Sequence, residues 1–151
     1  MKKTANPCDA KIRAAELRDA SALAVLAGQL GYSSTREQVE ARLRKMSGNP
    51  ERVVLVAEFS DGTLAGYADL FLFHTVGADV RVEVGGLVVG EASRSHGIGA
   101  MLMARAEDWA REKGCSVIGL RSNVIRDGAH RFYENLGYCV NKTQKSFRKT
   151  L

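Results

Sequence analysis

Three apolar runs, the first and third rich in valine, separated by two turn signals, most limit what this chain can become. Val53-Val54-Leu55-Val56-Ala57 precedes Asp61-Gly62, Leu64 to Phe73 precedes Gly77-Ala78-Asp79, and Val80-Arg81-Val82-Glu83-Val84 runs on through Leu87-Val88-Val89. An Asp-Gly pair between such runs is a hairpin signal, because both residues tolerate the positive φ of a tight turn. The order predicts an antiparallel meander of three strands.

Helical spacing lies on both sides of it. Lys11-Ile12-Arg13-Ala14-Ala15 reads as an edge strand, Asp19 as the N-cap of a helix carrying Leu23, Leu26, Ala27 and Leu30, and Gly31 as its end. Ser34-Thr35-Arg36-Glu37 has capping-box form, with Ser34 as cap and Glu37 reaching back, ahead of a Val39, Leu43, Met46 stripe. Downstream come a Gly-bounded helix (Ile98, Leu102, Ala106, Trp109), a short strand from Ser116 to Leu120, and a helix from about Asp127 to Leu136 stopped by Gly137. The tail from Tyr138 to Arg148 reads as one or two final strands. No repeat or linker interrupts this, so residues 1–151 are expected to form one α+β domain with a mixed, mostly antiparallel sheet flanked by helices.

Composition narrows the function. With 45% hydrophobic and 26% charged residues the chain can build a core, which excludes disorder. No apolar run approaches the roughly 18 residues of a membrane span. The start, Met1-Lys2-Lys3-Thr4-Ala5-Asn6, is polar, so a soluble, cytoplasmic protein with no membrane partner is expected. Cys8, Cys115 and Cys139 form no C-x-x-C pair and no metal-ligand spacing with histidine, so they are read as reduced structural thiols and no metal is expected. The net charge is +5, but no run of five basic residues exists. No nucleic-acid partner follows from that, only a mild preference for anions, which a phosphate-rich cofactor satisfies.

Leu87-Val88-Val89 leads through Arg94-Ser95-His96-Gly97-Ile98-Gly99 into a long helix. Glycines there let a ligand approach the backbone. The amides from about His96 to Ala100 point one way at the positive end of the helix dipole, which suits a pyrophosphate, and Arg94 can add a bidentate contact. The stretch lacks the third glycine of the dinucleotide fingerprint and the Gly-Lys-Ser/Thr of a P-loop.

With those motifs the sequence resembles the GNAT superfamily of N-acetyltransferases over nearly its whole length. The resemblance implies acetyl-CoA as acetyl donor, a pyrophosphate loop at Arg94, Ser95, His96, Gly97, Ile98 and Gly99 with Ala100, and a splayed strand Leu87, Val88, Val89 that pairs with the pantetheine arm. It implies a cofactor-contacting Asn123, and a second signature from Ala129-His130-Arg131-Phe132-Tyr133 to Gly137-Tyr138 that sets Ala129 and Phe132 at the cofactor; Phe132 also reads as core, and Tyr138 as packing. Tyr133 matches the family's general acid, and a backbone amide near Val88 or Val89 would meet the oxyanion. Glu83 corresponds to an acidic residue that serves some relatives as base through water. A regular strand puts Glu83 on the face of Leu87 and Val89, whereas a bulge at Gly85-Gly86 breaks that parity; Asp69 is the alternative carboxylate.

His74, His96 and His130 stand in no metal-ligand pair; His96 should act through its amide and His130 as a surface or pocket-wall residue. Trp109, Met101 and Met103 read as packing, and Tyr32 and Glu37 as acceptor-site neighbours. The implied reaction is direct attack of a small-molecule amine on the thioester, with aminoalkylphosphonates or aminoglycoside-like amines as acceptors. The alternatives are a protein N-terminal or lysine acetyltransferase and a non-catalytic CoA-binding module. Family members commonly form homodimers.

Overall fold

The computed structural model describes residues 9–151, so the readings for Cys8 and the polar start lie outside the described residues. Among the described residues five strands follow one another across a single sheet in chain order: β1 (Lys11–Ala14), β2 (Arg52–Glu58), β3 (Leu64–Thr75), β4 (Ala78–Val89) and β5 (Ile118–Leu120). The first four are antiparallel neighbours and β5 runs parallel to β4, so the sheet is mixed and mostly antiparallel. The meander and the edge strand stand where the sequence predicts them, and β5 is shorter than its predicted span. The helices are α1 (Ala20–Gln29), α2 (Arg36–Met46), α3 (Ile98–Glu112) and α4 (Asp127–Asn135). The chain divides into one unit ending at Leu120 and a second, Arg121–Leu151.

Residues paired across antiparallel strands share a face, so the register assigns the two sides of the sheet. Leu55, Ala68, Leu70, Val82 and Val84 form one side and are buried. They lie on the side of α3, which buries Ile98, Leu102, Met103 and Ala106 at helical spacing. Gly66 marks how close the two approach: a Cβ there would lie 2.4 Å from the Val88 carbonyl oxygen and 3.4 Å from Leu102 Cδ1. The other side carries Val54, Val56 and Tyr67, against which Ala20 and Leu23 of α1 pack with Val39 and Leu43 of α2.

Three local predictions change. Thr35, not Ser34, caps α2: its hydroxyl accepts from the Gln38 amide at 3.2 Å while the Gln38 side chain accepts from the Thr35 amide at 3.0 Å, shifting the box by one residue. Asp19 sits at the N-cap of α1 but makes no side-chain cap bond. Its carboxylate instead takes the Glu16 amide at 2.8 Å and Arg13 at 2.7 and 2.9 Å. Residues 139–151 form no strand, in keeping with a polar stretch from Asn141 to Ser146 that gives a strand no apolar face.

Candidate active site

In the first unit, β4 pairs Val84 with Leu70 and Gly86 with Asp69, which leaves Gly85 without a cross-strand partner. That is a bulge, and it resolves the question of parity. Glu83, Gly86 and Val88 share the α1–α2 side with Phe71, Asp69 and Tyr67, whereas Leu87 and Val89 belong to the α3 side. Glycine suits the bulge, because a Cβ on Gly85 would stand 3.2 Å from Phe71 Cε1.

The partner strand on the other edge stops early. β5 meets β4 only at Val82, Glu83 and Val84, so the backbone of Gly85–Val89 is paired on that edge with no strand among the described residues. Its amides and carbonyls can bond an extended ligand as a further strand would. Beyond Val89 come a 3-10 turn at Glu91–Ser93, Ser95 at φ +64°, and Gly97 at φ +78°, after which α3 begins. A non-glycine residue in the left-handed region is held under strain, which concentrates at functional turns. The first α3 bond runs from the Met101 amide to the Gly97 carbonyl at 3.0 Å, so the preceding amides at Ile98, Gly99 and Ala100 have no acceptor within the helix. Arg94 donates Nε to the Val89 carbonyl at 3.2 Å, and His96 is exposed. The open edge followed by an anion-seeking helix terminus suits coenzyme A, whose amide-bearing arm ends in a diphosphate.

On the α1–α2 side beside the bulge stand two carboxylates. Glu83 is buried at 7% exposure, with Oε2 accepting from Arg81 Nε at 3.3 Å. Gly119 opposite makes room for it, since a Cβ would stand 3.3 Å from that oxygen. Asp69 is half-buried and accepts from Arg52 Nη2 at 3.2 and 3.3 Å. Burial pushes the Asp69 carboxyl above its ordinary range, and the nearby Arg52 guanidinium only partly reverses this. Tyr67, also on this side, has its phenol raised by burial and by the charge of Asp69. Sequence reading missed Arg52 and Tyr67: neither lies in a motif, and only the strand register brings them to the bulge.

The second unit holds the remaining predicted residues. Asn123 accepts from the Ile125 amide at 3.2 Å through its side chain, and its carbonyl accepts from the Arg126 amide at 3.0 Å. His130 Nε2 lies 2.9 Å from that same carbonyl, so His130 ties α4 to the turn before it. α4 ends in a Schellman motif: Gly137 at φ +92° lets its amide reach the Glu134 carbonyl at 2.9 Å and the Tyr138 amide reach the Tyr133 carbonyl at 3.0 Å. The apolar contact of that motif is Tyr138 on Tyr133, ring centroids 5.9 Å apart, with Phe132 edge-on to Tyr133 at 5.1 Å. Burial raises the Tyr133 phenol above its ordinary value, with Arg126 pulling weakly the other way, so it stays protonated at neutral pH. Ala129 is half-buried, and the Ser122 hydroxyl is buried without a partner, a polar atom that no sequence signal marked.

Among the described residues no cluster of His, Cys, Asp or Glu could hold a metal ion, and no helix is long and apolar enough to cross a membrane.

The acetyltransferase (GNAT) family matches residues 20–138. The chain is 25% identical over 123 residues to the aminoglycoside N(6')-acetyltransferase type 1 of Serratia marcescens, covering 79% of this chain and 84% of that one. It is 37% identical over 91 residues to the aminoalkylphosphonate N-acetyltransferase of Salmonella typhimurium, covering 60% and 56%. In fold it is similar to an aminoglycoside N-acetyltransferase solved in complex with CoA, with TM-score 0.82, 20% identity, and 94% and 95% of the two chains covered.

Proposed function

The chain belongs to the acetyltransferase (GNAT) family and is an acetyl-CoA-dependent N-acetyltransferase, and from that premise we propose that it acetylates the primary amine of a small molecule by direct attack in a ternary complex. The observation that carries this reading is the β4 edge left open over Gly85–Val89 beside a bulge that faces two carboxylates. Aminoglycoside-like and aminoalkylphosphonate-like amines are the proposed acceptors, supported by the named relatives. The whole chain, 1–151, is read as one N-acetyltransferase domain acting in the cytoplasm, with a homodimer as its assembly.

Bound acetyl-CoA supplies a thioester carbonyl open to a nucleophile. In the proposed scheme Leu87, Val88 and Val89 hold the cofactor's arm through their backbone, and the amide of Val88 or Val89 donates to the developing oxyanion. Arg94, Ser95, His96, Gly97, Ile98, Gly99 and Ala100 hold the diphosphate, and Asn123, Ala129 and Phe132 line the cofactor. Glu83 takes the ammonium proton through water. Tyr133, kept protonated by burial, gives a proton to the departing thiolate.

The test is thiol release from acetyl-CoA across a panel of small amines and lysine peptides. Release driven by a small amine supports the reading; release driven only by peptides, or cofactor binding with no release by any amine, overturns it.

A further inference from the structure

α1 and α2 pack on the face that carries Glu83 and Asp69 near Val54, Val56 and Tyr67. Further along, Asp69, Phe71, Phe73, Arg52 and Arg81 remain partly exposed. The register sets Arg52 opposite Phe71, Phe71 opposite Glu83, and Phe73 opposite Arg81. Each guanidinium lies over a ring: Arg52 Cζ is 5.3 Å from the Phe71 centroid and Arg81 Cζ is 4.4 Å from that of Phe73. The two rings stand 6.4 Å apart. Cation–π attraction holds both guanidiniums over the rings before any ligand arrives.

These arginines differ from one that serves the fold. Arg13 uses Nε, Nη1 and Nη2 across Asp19 and Glu58 at 2.7 to 2.9 Å. Arg52 reaches Asp69 with Nη2 alone, at 3.2 and 3.3 Å, and its Nε is buried without a partner. Arg81 reaches Glu83 with Nε alone, at 3.3 Å. Nη1 of Arg52 and both Nη nitrogens of Arg81 make no hydrogen bond among the described residues. Long contacts from single nitrogens leave the forked donors free for a planar or tetrahedral anion.

Given the acetyl-transfer reading on which this rests, we propose that the acceptor amine carries an anionic group on the same small molecule, a phosphonate, phosphate or carboxylate. Asp69 and Glu83 hold its ammonium beside the Gly85 bulge, and Arg52 and Arg81 hold its anion over Phe71 and Phe73. A polycation would bring further positive charge against both arginines.

The test compares an ω-aminoalkylphosphonate with the n-alkylamine of equal length and with an aminoglycoside, by thiol release and by calorimetric binding, in the unaltered protein, Arg81→Met and Arg81→Lys. The proposal expects the phosphonate to exceed the alkylamine and the aminoglycoside in kcat/KM by roughly tenfold or more. Arg81→Met should pull the phosphonate-to-alkylamine ratio toward one, and Arg81→Lys should retain part of it; taking the ratio cancels losses common to both amines. Equal kcat/KM for the two amines, a preference for the aminoglycoside, or an Arg81→Met ratio that does not move would overturn it. If no amine releases thiol while the phosphonate still binds and Arg81→Met abolishes that binding, the surface assignment stands and the acetyl-transfer reading fails.

Discussion

At the scale of single residues, the proposed chemistry turns on Tyr133 as acid and Glu83 as base. Burial keeps the Tyr133 phenol above its ordinary value, so any alkaline limb in kcat that belongs to it should lie above about pH 10. A limb near neutrality that disappears in Tyr133→Phe would contradict its role as acid. Glu83→Gln should lower kcat by about a hundredfold or more if Glu83 is the base, with little change in acetyl-CoA affinity. A loss below about threefold by steady-state kinetics would remove it from the proton path. Tyr133 was proposed from its signature and Glu83 from strand parity with Leu87 and Val89, a parity that the bulge at Gly85 breaks. Asp69 was legible only as an alternative, and Arg52, Arg81 and Tyr67 not as site residues: their meeting depends on strand register, which a bulge of one residue resets.

At the scale of elements, one close approach and one left-handed turn hold the strand and helix of the proposed site in place. Gly66 sits where a side chain would strike the Val88 carbonyl at 2.4 Å, on the strand whose backbone is proposed to hold the cofactor's arm. Gly66→Ala should therefore cost about 1–3 kcal/mol and shift β4, read as a fall in melting temperature of several degrees together with weaker acetyl-CoA binding. Unchanged melting and binding would show that β3 and β4 relax freely there. Gly137 lets Tyr138 pack back on Tyr133 through the Schellman turn, so Gly137→Ala should cost about 1 kcal/mol and lower kcat without altering the pH profile. The meander, α1 and α3 were all legible because their periods are clear. The α2 cap was misplaced by one residue because Ser34 and Thr35 are both good caps and only the Gln38 contact separates them. The tail's predicted strands fail for want of alternation.

At the scale of the whole molecule, the sheet's first edge is fastened to α1 by Arg13, which holds Asp19 and Glu58 together. Burial alone would raise Asp19, but the hydrogen bonds from Arg13 and the Glu16 amide outweigh it, and its carboxyl lies below the ordinary range. A depressed carboxylate adds stability that is complete above its unfolded pKa near 4 and is lost as pH falls through its folded value. Arg13→Met should cost about 2 kcal/mol at pH 7, read as a lower urea midpoint, and the difference from the unaltered protein should shrink below about pH 4. A difference that does not shrink at all as pH falls below about 4 would mean that Arg13 acts by packing rather than by charge.

Acetyl transfer to a small amine with Tyr133 as acid is tested by single-turnover thiol release from acetyl-CoA with a saturating small amine, in the unaltered protein and in Tyr133→Phe, alongside acetyl-CoA affinity. Amine-dependent release should slow about a hundredfold or more in Tyr133→Phe at unchanged cofactor affinity. Release that is equally fast in both proteins would contradict the acid assignment, and cofactor binding with no amine-dependent release would contradict the proposed reaction itself.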